Sequence, residues 1–108
     1  MDWNTEPSTD RLCEKSSLIL GLLQTIIRKF YYNPRNQHKI SLLSLHPSDE
    51  ARQIEEDLIV IDELITGVER NVGCSNLKRA LHFLWILQNQ VIQSQEQLES
   101  LDFLELVG

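Results

Sequence analysis

Turn-forming residues are scarce in this 108-residue chain, which has four glycines, three prolines and two cysteines. A sheet of many strands needs a turn signal about every 8–12 residues. The shortage therefore excludes most all-β architectures and predicts a few long elements. Cys13 and Cys74 lie far apart, with no Cys or His at ligand spacing. They form no zinc motif and no CxxC, and the expectation is two reduced thiols inside the cell, in cytoplasm or nucleus. A basic stretch followed by an apolar one, the mark of a secretory leader, is missing from the first residues. The longest apolar stretch, Leu18 to Ile27, is interrupted by Gly21, Gln24 and Thr25. It reaches about half the length that crosses a bilayer, so no membrane association is expected.

Catalytic signatures are lacking too. The sequence holds no glycine loop for phosphate, no nucleophile elbow and no Glu-x-x-His pair for a metal inside a bundle. His82 has Lys78 and Arg79 on the preceding turn and Ile86 on the next, so no local metal site forms around it. His38 and His46 only flank an apolar connector. The expectation is a protein that is no enzyme and carries no cofactor or metal.

What is present is a 42% hydrophobic chain with a net charge of −6. The apolar fraction supports a globular fold, and the negative charge disfavours nucleic acid and anionic membrane as partners. Residues 1–9 read as a flexible lead, and 10–108 as one helical domain. Asp10 caps a helix over 10–32, in which Leu12, Ile19, Leu23, Ile26 and Phe30 share a stripe widened by Leu20, Leu22 and Ile27, and Asn33-Pro34 ends it. The connector between Pro34 and Pro47 contains Ile40 to Leu45, read as a single helical turn. Ser48 caps a helix over 49–70, whose Ala51, Ile54, Leu58, Ile61, Ile65 and Val68 recur at spacings of three and four, with Gly73 as the stop. Leu77, Ala80, Leu84, Leu87 and Val91 repeat that spacing in a helix over 76–93, with Leu81, Trp85 and Ile92 read as thickening its core face. Ser94 with Gln97 has the form of a capping box, which suggests a break and a fourth helix over 95–107. The fold expected is all-α, a small antiparallel bundle of three to four helices. Its core is drawn from Ile19, Leu23 and Ile26, from Ile54, Leu58, Ile61 and Ile65, and from Leu77, Leu84, Leu87 and Val91.

Two segments stand out as candidate surfaces. The first contains Arg28, Phe30, Tyr31, Tyr32, Arg35 and Lys39, cations interleaved with aromatic rings. Such a mixture suits a protein interface, since Tyr and Arg are favoured anchors there. It also suits stacked bases beside phosphates. The second is the tail, where Leu98, Leu101, Phe103, Leu104 and Leu106 are interleaved with acids and no cation follows Arg79. An amphipathic helix of this kind fits a partner's groove. The function expected is a protein–protein interaction module, an adaptor or subunit of an assembly, bound to another protein or to a second copy of itself. Two alternatives remain open: a fragment of a longer α-solenoid continuing past Gly108, and a nucleic-acid-associated subunit using segment 28–39.

Overall fold

The computed structural model describes residues 5–102, with side chains from Glu14 onward. All regular structure among them is helical: α1 (Thr5–Phe30), α2 (Pro34–Leu42), a 3-10 turn (Leu43–Leu45), α3 (Asp49–Gly73) and α4 (Leu77–Ser100). The protein is a small all-α helical bundle, and α3 and α4 form its central antiparallel pair. No described helix is long and apolar enough to cross a membrane.

The seam of α3 follows the sequence pattern. Ala51, Ile54, Ile61 and Val68 are fully buried, with Leu58 and Ile65 half-buried against them. Ser48 caps the helix, its hydroxyl accepting the Ala51 N–H at 3.1 Å. On α4, Leu77, Ala80, Leu84, Leu87, Ser94 and Leu98 face this seam. The two helices pack tightly at Gly67, where a Cβ would lie 3.1 Å from the Phe83 ring. A glycine in mid-helix costs about 1 kcal/mol in helix propensity, and here it makes room for that ring.

The third layer is made jointly by α1 and α2. Tyr31 at the end of α1 meets Leu58 and Asp62, while Leu20 and Gln24 share a cleft with Glu69. Rising numbers on α1 thus meet falling numbers on α3, so those two helices are antiparallel, and α1 runs parallel to α4. α1 covers the half of the central pair near the α3–α4 turn, and α2 with the 3-10 turn covers the other half. Among the described side chains, Glu14 to Leu18 contribute nothing to the core, whose first member is Ile19. The molecule is accordingly long, with a radius of gyration of 17.8 Å where a compact domain of this length has roughly 13 Å. Its surface is 7685 Å², against about 6,200 Å² for a compact monomer of the same mass.

Several boundaries differ from the expected ones, each for a local reason. α1 begins at Thr5, so Asp10 lies inside it instead of capping it, and it ends at Phe30 rather than 32. The Tyr31 and Tyr32 N–H groups both fall back on the Ile27 carbonyl, at 2.7 and 3.3 Å. Asn33 then starts a new helix, its side chain accepting from the Arg35 N–H at 3.0 Å, with Pro34 at a position where a missing N–H costs nothing. The connector is therefore a nine-residue helix plus a 3-10 turn, not one turn.

The expected break at Ser94 does not occur, and α4 is continuous to Ser100. Ser94 lies on the seam with Leu87, Val91, Leu98 and Leu101, and its hydroxyl accepts from Gln90 at 3.4 Å within the helix. The rest of the fourth helix expected over 95–107 lies outside the described residues from 103 on.

α3 ends at Gly73 rather than at 70, but the left-handed position of the turn falls two residues later, on Ser75, with φ of 58°. A side chain there costs about 1 kcal/mol. Ser75→Gly is expected to raise stability by about 0.5–1 kcal/mol, seen as a melting temperature a few degrees higher. An unchanged or lower one would mean that the turn is not strained.

Candidate interaction surface

The 28–39 corner is more structural than its composition suggests. Phe30 is buried and meets Tyr31 edge-on at 5.2 Å. Tyr31 is half-buried, and its hydroxyl donates to Asp62 Oδ1 at 3.0 Å, with the Leu58 carbonyl at 3.4 Å. Burial, and then the bonded and negatively charged Asp62, push its phenol well above the ordinary value. Arg28, Tyr32 and Arg35 are exposed, and Lys39 is half-buried. Only Tyr32 offers a free ring face, at 66% exposure.

The raised value of Tyr31 carries a sign. The folded state favours the neutral phenol, so this contribution is complete below the unfolded value of about 10 and is lost as pH climbs above it. Tyr31→Phe is expected to cost about 0.5–1.5 kcal/mol at neutral pH and to flatten the loss of stability above pH ~10. Denaturant melts of both proteins across that range check it, and parallel curves would contradict it.

Beneath the corner lies a network that the sequence did not reveal. Asn36 is buried on α2, donating to the Phe30 carbonyl at 2.9 Å and to Gln95 Oε1 at 2.6 Å, while Gln95 Nε2 returns a bond of 3.1 Å. Two amides facing each other satisfy donor and acceptor together, tying α1, α2 and α4 at one point. The only available signal was Gln95 itself, on the half-turn that looked like a break.

The tail also belongs to the core where it is described. Leu98 and Leu101 are buried within this chain, and so are not presented to a partner. Phe103, Leu104 and Leu106 lie outside the described residues. His46 fastens this end down. Its Nε2–H donates to the Asp102 carbonyl (3.0 Å), which leaves Nδ1 to accept from the Ser48 hydroxyl (2.9 Å).

The exposed apolar surface lies elsewhere. Trp85 is 64% exposed, Leu81 49% and Ile92 51%. Rather than thickening the core face of α4, they form a second stripe beside it, at spacings of four and seven. On α1, Leu18 and Leu22 are 64% and 46% exposed. Leu20, Ile27 and Tyr31 occupy the flank of α1 that faces α3, so helical geometry turns Leu18 and Leu22 to the other flank, toward α4. The two stripes thus border the same furrow, between α1 and α4.

Charge divides the same way. From Lys15 to Ser48 there are five Lys or Arg residues and no acid. α4 has Lys78 and Arg79 and no acid before Glu96, whereas α3 holds eight acids against Arg52 and Arg70. The net −6 is therefore concentrated on α3, and the α1–α4 flank is basic. Among the described residues no group of three His, Cys, Asp or Glu could hold a metal, and Cys74 is a free, exposed thiol. Comparison with family models, curated proteins and solved structures finds no match for this chain.

Proposed function

We propose that the protein is a non-enzymatic interaction module, an adaptor or subunit of an assembly, that binds another protein through the α1–α4 flank. The observation that carries this reading is the stripe of Leu81, Trp85 and Ile92, three large apolar side chains exposed beside Leu18 and Leu22. Single exposed hydrophobics are ordinary, but a grouped patch on a small monomer marks a contact surface. An exposed tryptophan at its centre is the residue type most enriched among interface anchors. Nucleic acid is less well served, because the 28–39 corner presents one free ring rather than a row of stacking platforms. An intracellular location is part of this proposal, and the free thiol of Cys74 is compatible with a reducing compartment.

The test is capture of bound protein by the full chain and by two variants. Leu81→Ser combined with Trp85→Ser should lose the captured partner. Ile59→Ser, on the opposite, acidic side of α3, should retain it. Both replace exposed residues, so each protein should keep its stability to within about 0.5 kcal/mol per site. Equal capture by all three would remove the flank from the account.

A further inference from the structure

Resting on that reading of the flank, we infer that its occupant is an amphipathic helix with acidic margins, lying along the furrow between α1 and α4. The length and direction of the furrow suit a helix. Leu81 to Ile92 spans about 16 Å along α4, and Lys15 to Lys29 about 21 Å along the parallel α1. Two parallel helices with an apolar furrow are completed by a further helix laid into it, whose anchors recur every three or four residues. A strand would leave its backbone groups unpaired against a helical surface.

Charge decides which helix. Lys15, Leu18, Leu22 and Lys29 follow one stripe of α1, all exposed, and Lys78 stands at the start of the α4 stripe. The apolar furrow is thus bracketed by cations, with no acid on α1 after Glu14 or on α4 before Glu96. Carboxylates on the margins of the incoming helix meet these ammonium groups, which speeds encounter and disfavours basic competitors. A second copy of this chain fits badly. Face to face, it would set the same cations against one another. Its acidic helix, α3, exposes only the adjacent pair Ile59 and Val60, among Arg52, Glu55, Glu56 and Glu63, and two neighbouring residues that point to different sides of a helix make no apolar stripe to fill the furrow. Anionic membrane would meet the same cations, but the molecule brings the eight acids of α3 with it, and the flank is a furrow between helices rather than a single inserted ridge.

The experiment is a fluorescence titration of the full chain carrying Trp3→Phe, so that Trp85 is the only tryptophan. The probe is a designed four-turn helix with leucines at three- and four-residue spacing and glutamates on both margins. Matched peptides carry lysine or glutamine margins. The expected result is a blue shift of Trp85 emission with the glutamate peptide at up to about 1 mM. Affinity should fall about tenfold with the lysine peptide, and again on raising salt from about 0.05 to about 0.5 M. Lys15→Glu with Lys29→Glu should reverse the preference between the two charged peptides, and circular dichroism should confirm that this variant folds. No shift with the glutamate peptide, equal binding of all three peptides, or an unaltered preference in the charge-reversed variant would overturn the inference. So would a doubled mass by light scattering without peptide, or a Trp85 shift only with vesicles of phosphatidylcholine and phosphatidylserine. None of these outcomes depends on the capture test, which can succeed with a partner of different chemistry.

Discussion

Ile61→Asp is expected to abolish cooperative unfolding. Ile61 is fully buried at the middle of α3, between Ile54 and Val68 on the seam that faces α4. An ionised carboxylate there has no partner of opposite charge within the core. Its burial costs several kcal/mol on top of the lost packing of the isoleucine. A domain of this length has about 5–15 kcal/mol of stability in all. Circular dichroism during heating should show a lost or strongly shifted transition. A melting temperature within a few degrees of the parent would mean that the seam is not the centre of the fold. Leu58→Asp should be milder, because Leu58 is half-buried and its carboxylate could turn toward solvent.

Removal of residues 95–108 should be nearly as damaging. The deletion takes away Leu98 and Leu101, both buried, each contributing about 1.5–3 kcal/mol of burial. It also leaves Asn36 without Gln95 and the His46 ring without the Asp102 carbonyl. A buried amide left unpaired costs roughly 1–3 kcal/mol more. The truncated protein should therefore be marginal or unfolded at 25 °C in thermal and denaturant melts. A truncation that melts like the full chain while losing a bound protein would restore Leu98 and Leu101 as partner anchors and contradict the core described here.

How much of this was legible in the sequence depended on whether local pattern and tertiary role agreed. In α3 they agreed: a serine cap, acids in the first turn and six apolar residues at alternating spacing all pointed one way. At Ser94 they disagreed. A capping-box pattern suggested a break, yet the residue is buried at the seam position between Val91 and Leu98. The turn after α3 was assigned to Gly73, because glycine takes a left-handed conformation cheaply, but the chain adopts it two residues later at Ser75.

The functional surface was harder to read. Phe30 and Tyr31 looked like anchors because of their cationic neighbours, and Leu81, Trp85 and Ile92 looked like core because they continued an apolar face. Which of two adjacent stripes is covered depends on where α1 lies, and periodicity within one helix carries no information about that. Asn36 was invisible for the same reason, since its partner Gln95 is 59 residues away.

The most direct test of the central claim places a photoreactive benzoyl-phenylalanine at position 85, and separately at position 59, of the full chain in its native cell. Both positions are well exposed, at 64% and 61%, so reactivity differs only by what covers them. A discrete covalent adduct to another protein is expected from position 85 and none from position 59. An adduct from position 59 alone, or none from either, would contradict it.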